Sequence, residues 1–172
     1  MRVERLDIFA AGPSDGAVDE VDAGLLRLLQ QDGRRTNRQL AAELGIAEST
    51  CLERTRALLR RGVVTGVHAH VDLQKMNRPV QAMVAVRMRL PDRAVIDAFH
   101  RYVLSLPETL AVFIMSGADD FLIHIAVTDN NQLSDFVLDR LTQRREIADV
   151  RTSIIFRHHR HQVVDPFHGG AG

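Results

Sequence analysis

The stretch TNRQLAAELGIAESTCLERTRALLRRG, Thr36 to Gly62, decides the fold of the first part of this chain. The Thr36 hydroxyl can accept a backbone N–H, and Gln39 three residues on completes a capping box, so a helix begins here. Leu40, Ala41 and Leu44 form its inner face, and Gly45 breaks it. A second helix follows over ESTCLERTRALLRRG, with Cys51, Thr55, Leu58 and Leu59 as inner positions at i, i+4, i+7 and i+8. Ser49, Thr50, Glu53, Arg54, Arg56, Arg60 and Arg61 are left pointing mostly outward until Gly62 stops the helix.

Upstream, Val18, Val21, Leu25, Leu28 and Leu29 share one helical face, and Gly33 ends that helix just past Asp32. Gly24 in its interior is a mild local cost. Residues 1–17 hold Gly12, Pro13, Ser14 and Gly16 with little periodicity and read as a loose leader. Downstream the period changes. VVTGVHAHVD, from Val63, alternates and is rich in β-branched residues, so it reads as a strand hinge over 63–79, punctuated by KMNRP. Beyond Pro79 the order is strand (VQAMVAVRMRL), helix (AVIDAFHRYVLSL), two strands (TLAVFIMSG and DFLIHIAVT), helix (NQLSDFVLDRLTQRRE) and strand (DVRTSIIFRHH). The second of these helices takes Asn130 or Asn131 as its N-cap. The βαββαβ order is the ferredoxin-like arrangement, a four-stranded sheet with both helices on one face. The expected architecture is therefore α+β. A helix-turn-helix (winged-helix-like) domain at 18–62 is joined by a β-strand hinge to a ferredoxin-like domain at 80–160, and 161–172 form a tail.

Bulk properties narrow the function. No apolar run approaches the roughly 18 residues needed to span a bilayer. Glu4 and Asp7 stand where a signal peptide would have its apolar core, so the protein reads as cytosolic, or cytoplasmic, with no membrane partner. One cysteine, Cys51, permits neither an internal disulfide nor a cysteine-cluster zinc site. The net charge of zero hides an asymmetry: from Arg34 to Arg61 seven arginines meet three glutamates, whereas from Arg78 onward eleven arginines meet eleven acids. Two modules of different electrostatic character follow from that.

A major groove about 12 Å wide admits one α-helix, whose N-terminal polar residues reach base edges while flanking arginines meet phosphates. The layout from Thr36 to Gly62 suits that task, although the same arginines could merely solvate a helical surface. VDEVDAGLLRLLQQDGR, TNRQLAAELGIAESTCLERTRALLRRGVV and the following βαββαβ segment together resemble the Lrp/AsnC (leucine-responsive, feast-famine) family of transcription regulators. The resemblance runs from Val18 to about Arg160. It is carried by Asp19 and Asp22, by Asp32-Gly33-Arg34, by Leu44-Gly45-Ile46, by Cys51-Leu52-Glu53-Arg54 and by Gly117 to Asp120. It implies a sequence-specific, homo-oligomeric regulator of double-stranded DNA, dimeric and further assembled into a tetramer or octamer, with an amino acid as effector and no cofactor or catalytic residue. Ser49, Thr50 and Glu53 are then the candidates for base edges. Arg34, Arg38, Arg56 and Arg60 are the candidates for phosphate, with Thr36 beside them; Arg54 reaches either DNA or an acid between helices. Three positions depart from the family pattern: Ala47 replaces a capping serine, which passes the cap to Glu48 or Ser49; Thr55 replaces valine; Asn77 replaces glycine.

SGADD, Ser116 to Asp120, allows several readings. Gly117 suits a tight turn and an aspartate can bond its own backbone, which makes the stretch purely structural. A metal dyad finds no third ligand nearby, since His124 would lie roughly 13 Å along a strand at about 3.3 Å per residue. The resemblance implies an effector loop, with Ser116, Gly117, Ala118, Asp119 and Asp120 helped by Thr152 and Ser153. A carboxylate for an ammonium and turn N–H groups for a carboxylate suit a zwitterion. Both faces of VQAMVAV and FLIHIAV are apolar, which points to a second copy covering the sheet. FRHHRHQ (His158, His159, His161) brings no acidic or cysteine partner, so no metal is assigned to it. His68 and His70 share a strand face. Sirohaem decarboxylases look similar in architecture, and His100, Arg101 and His124 keep that enzymatic alternative open. A ligand-independent architectural DNA-binding protein is a further alternative.

Overall fold

The computed structural model describes residues 18–166. The 1–17 leader and the end of the 161–172 tail lie outside the described residues. The chain divides into two compact units, and residues 160–166 group with the first.

Three helices build the first unit: α1 (Glu20–Gln31), α2 (Asn37–Leu44) and α3 (Glu48–Arg60). Asp19 caps α1 by accepting the Asp22 N–H at 2.8 Å. At α2 the reciprocal Thr36–Gln39 capping box is present, and Gly45 closes the helix in the left-handed region at φ 65°. Leu25, Leu40, Ala41, Cys51 and Leu58 make the core. Gly24, a local cost inside α1, earns its place by packing: a Cβ there would lie 2.6 Å from Leu44 Cδ2, so glycine lets α2 sit down on α1.

Several expectations are corrected here. α3 does not shift its start to compensate for Ala47; it begins at Glu48 with no side-chain cap at all. Leu59, read as an inner position, is 48% exposed, because a narrow apolar stripe through Cys51 and Leu58 suffices to seat α3 on two short helices. The segment from Val63 to Asp72 is not a strand, and the unit has no wing among the described residues. Val63 and Val64 instead send their N–H groups back to Leu58 O at 3.0 and 3.2 Å, capping α3. Beyond them an alternating β-branched pattern has no ladder partner, and Val67 and Val71 stay about 60% exposed (60% and 59%). A strand exists only when another edge completes its hydrogen bonds.

In the second unit, β1 (Val80–Met88), β2 (Thr109–Ile114), β3 (Phe121–Val127) and β4 (Ile147–Ile154) form one sheet in the order β2-β3-β1-β4, antiparallel at every pairing. α4 (Arg93–Ser105) and α5 (Asn130–Asp135, continuing as π-helix over Phe136–Thr142) make the two crossovers, giving the ferredoxin-like topology. Asp129, not Asn130 or Asn131, caps α5, accepting the Gln132 N–H at 2.9 Å. A carboxylate one residue earlier completes the same bond and also favours the helix dipole. The π-helical turns align residues five apart, which turns both Phe136 and Leu141 into the core.

Ala82, Val84, Val86 and Met88 of β1 and Phe121, Ile123 and Ile125 of β3 pack against Phe99, Val103, Leu133 and Leu141 of the helices. Phe99 and Phe121 meet edge to face at 4.8 Å. Among the described residues no helix or strand layer covers the opposite sheet face. Its first row runs across all four strands as Phe113, Leu122, Ala85 and Arg151, and its second as Ala111, His124, Met83 and Ser153. No helix among the described residues is long and apolar enough to cross a membrane.

Candidate functional site

In the first unit, α2 and α3 present the residues that sequence reasoning assigned to DNA. Ser49, Thr50 and Glu53 are exposed on the N-terminal half of α3, and Arg56 and Arg60 are exposed further along the same helix. Thr36 and Arg38 are exposed at the start of α2. Arg38, Arg56 and Arg60 hold no ion-pair partner among the described residues, whereas Arg34 meets Asp32 at 3.3 Å with 91% of its side chain exposed. An unpaired, solvated guanidinium is ready for a phosphate without first breaking a bond. Arg35, which no sequence argument assigned, pairs with Glu43 and is three-quarters buried.

Arg54 behaves differently. Its Nη1 meets Asp19 at 2.5 Å and Asp22 at 3.0 Å, and Arg61 approaches Asp22 at 3.5 Å. Asp22 is the buried acid of the unit, with its side chain 8% exposed. Of the two roles open to Arg54, the structure shows the interhelical pairing, which ties α3 to α1. Asp19 is held below its ordinary pKa by the Asp22 N–H and by Arg54. Its ionised form is thus favoured by folding, and that contribution is lost as pH falls below the normal carboxylate range.

On the same helix as Arg54, Thr55 buries its Oγ1 with no oxygen or nitrogen partner among the described residues, only the weakly polar Cys51 thiol beside it. Beside it the Cys51 thiol is pushed up in pKa by burial. Thr55→Val, which keeps the shape and removes the hydroxyl, is expected to stabilise the unit by about 1 kcal/mol, read as a higher urea midpoint at unchanged slope.

In the second unit the acid pair divides. Asp120 is spent on its own backbone: its Oδ2 accepts the Met88 N–H at 2.7 Å, and its N–H donates to Val86 O at 3.0 Å. Asp119 faces Arg151, whose Nη2 reaches both carboxylate oxygens at 2.7 and 2.5 Å. Ser116, Gly117 and Ala118 are exposed at the loop tip, with Gly117 at φ 145°. Thr152 and Ser153 lie on opposite faces of the sheet, as do their register partners Val84 and Met83. Ser153 shares the open face with Arg151; Thr152 points to the helix side. Sequence reasoning missed Arg151, although alternation along β4 placed it two residues from Ser153.

His124, on the open face, bonds Gln81 Oε1 through Nε2 at 3.0 Å and lies 6.1 Å, ring to ring, from His158. Burial first, and His158 second, lower its pKa below the ordinary 6.5. The folded state therefore resists protonation, and stability falls as pH drops below about 6.5, where the unfolded histidine takes the proton. A smaller loss of thermal midpoint between about pH 7.5 and 5.5 is expected in His124→Gln than in the parent. His124 does not converge with His100 and Arg101, since these sit on α4 and α4 covers the other face. His68 and His70 lie in the strandless connection. Among the described residues no three histidine, cysteine or acidic groups are placed to hold a metal ion.

Comparison with known proteins covers both units. Residues 18–59 match the AsnC-type helix-turn-helix domain, and residues 81–164 match the Lrp/AsnC ligand binding domain. The HTH-type transcriptional regulator AldR of Mycobacterium tuberculosis is 37% identical over 141 residues, 82% of this chain and 79% of that protein. A leucine-responsive regulatory protein of Rhizobium meliloti is 32% identical over 140 residues, 81% of this chain and 90% of its own length. A Neisseria meningitidis transcriptional regulator, crystallised as a complex with L-Met, superposes with a TM-score of 0.79 at 29% identity, over 89% of this chain and 98% of that one.

Proposed function

This chain belongs to the Lrp/AsnC family of transcriptional regulators, and from that premise we propose that it binds specific duplex DNA through α3 and alters that binding when an amino acid occupies the Ser116–Asp120 region. The observation that carries the reading is the sorting of polar groups on α2 and α3. Exposed Ser49, Thr50 and Glu53 occupy the half of α3 that a major groove would receive, and unpaired Arg38, Arg56 and Arg60 flank them. Arg34 and Thr36 extend the phosphate-facing edge.

The effector is an amino acid on this reading, bound where Asp119 and Arg151 offer one charge of each sign. The L-Met complex of the Neisseria relative supports that choice of ligand class. The working species is a homodimer assembling further into a tetramer or octamer, acting in the cytoplasm. An uncovered sheet face bearing Phe113, Leu122 and Met83 supports self-association, and a two-fold pair would set two copies of α3 at the fixed spacing of a near-palindromic site.

A gel shift with DNA from upstream of the protein's own gene, run with and without each of the twenty amino acids, tests this. A retarded band whose midpoint moves with at least one amino acid is the expected result. A band that no amino acid moves would overturn the effector reading, and no band on any fragment would overturn the DNA reading. Sedimentation of a monomer at all concentrations would remove the assembly.

A further inference from the structure

We propose that His124 and His158 form a proton-operated release on the open sheet face, so that self-association of this chain is lost as the medium turns mildly acidic. The inference rests on the reading above that a second copy covers that face, and it names what regulates the contact.

The placement comes from sheet register and from one chain reversal. His124, on the inner strand β3, stands in the row of Ala111, Met83 and Ser153. The adjoining row holds Phe113, Leu122 and Ala85, so the imidazole sits amid apolar side chains. Beyond β4 the chain turns back over the sheet. The Ile155 N–H donates to Gln81 O at 2.9 Å, and three residues later the His158 ring lies 6.1 Å from that of His124. Gln81 Oε1 accepts from His124 Nε2 at 3.0 Å, which leaves Nδ1 as the atom that takes an added proton.

The groups around His124 decide the sign. His158 is the titratable group beside it, and Arg157 and His159 flank His158 in the chain. Gln81, Met83 and Ala85 on β1, Ala111 and Phe113 on β2, and Leu122 and Ala126 on β3 itself carry no charge. On β4, Arg151 lies two strands away, roughly 10 Å across the sheet, and is occupied by Asp119. α4 and α5 pack on the other face. No acid among the described residues pairs with either histidine. A proton taken by His124 is therefore held beside a second imidazole with no carboxylate to balance it. A second copy laid over the face removes the remaining water and makes the charged form costlier still. The group thus takes its proton less readily in the assembled species than in the separate chain. The contact is at full strength above the ordinary histidine range and is lost as pH falls below about 6.5. An isologous contact encloses the same patch twice, so about two protons separate the assembled from the dissociated form.

Sedimentation equilibrium of the full chain at about pH 7.5 and about pH 5.5, at fixed ionic strength, tests this. The dimer Kd of the parent is expected to rise by about tenfold or more on acidification and to recover on return to neutral pH. His124→Gln and His124→Leu, which cannot take the proton, should hold Kd within about threefold over the same range. His158→Gln should give an intermediate rise. His100→Gln, on α4 and so away from the open face, should keep the full rise of the parent. Circular dichroism melts of each variant at both pH values separate dissociation from unfolding. A parent Kd that acid leaves unchanged, or a rise undiminished in both His124 variants, overturns the proposal and leaves the self-association reading standing. A parent that is monomeric at neutral pH at every concentration removes the covered face itself, and this proposal with it.

Discussion

Asp22→Ala lowers the stability of the helical unit by about 2–3 kcal/mol, an effect expected to exceed that of any exposed arginine on α2 or α3. Removing one member of a buried charge pair typically costs about 3–5 kcal/mol, because the remaining charge is left uncompensated. The discount here reflects the partial exposure of the two partners, Arg54 at 35% and Arg61 at 27%. Without Asp22, Arg54 and Arg61, both carried by α3, lose the buried acid of α1 that they share, while Arg54 keeps its pairing with Asp19. Chemical unfolding followed by far-ultraviolet circular dichroism measures the loss. Asp22→Asn separates charge from volume. It keeps the shape, so a penalty close to that of alanine assigns the effect to the ion network, whereas near-parent stability would assign it to packing and remove the lock. Because α3 depends on that lock for its angle, the same variants should weaken binding to every DNA sequence alike.

Arg38→Ala, Arg56→Ala and Arg60→Ala combined are expected to reduce DNA affinity by about 500-fold at 0.1 M salt. Each phosphate neutralised contributes about 0.9 to the slope of log K against log salt, hence about 0.9 log units at 0.1 M. Three contacts then flatten the slope by roughly 2.7, and the loss should be equal on specific and unrelated duplexes. Fluorescence anisotropy across a salt series reads both numbers. Stability should stay within about 0.5 kcal/mol of the parent, since none of the three has an ion-pair partner to lose among the described residues. Substitutions at Ser49, Thr50 or Glu53 should act in the opposite sense, changing which sequence is preferred while leaving the salt slope in place. An unchanged slope in the triple variant would move the phosphate contacts elsewhere on the unit.

Much of the helical unit was legible in the chain because its boundaries are written in short-range chemistry. Thr36 and Gln39 cap each other within four residues, and Gly45 closes α2 in the one region that most other residues avoid. The ferredoxin-like order was legible for a similar reason: period-two and helical stretches alternate cleanly after Pro79. What failed was whatever depended on a partner distant in sequence. Val63 to Asp72 has strand composition, yet a strand is a property of two edges, and the second edge is not in its neighbourhood. The misplacement of the α5 cap was smaller in kind. Two asparagines looked sufficient, and the carboxylate just before them was the better acceptor.

The candidate site was legible in its loop and opaque in its cation. SGADD announces a turn with two acids, but nothing local distinguishes an acid that caps the Met88 N–H from one that faces an arginine 32 residues later. Sheet register makes that distinction, and register also separates Thr152 from Ser153, which the sequence places side by side. Arg54 illustrates the opposite case. Its pairing with an acid between helices was one of two readings open from the sequence, and the structure identifies those acids as Asp19 and Asp22.

The tail contributes one more lesson, about where this protein can be cut. Gln30 on α1 offers its amide to both sides of Val164, donating to the carbonyl at 3.0 Å and accepting the N–H at 2.9 Å, while Arg27 holds Asp165 at 2.9 Å. The helical unit is thus stitched from two stretches that lie 134 residues apart in the polypeptide, like a bracelet fastened by its clasp. A fragment ending at Gly62 would carry every helix of that unit and still leave the clasp unfastened.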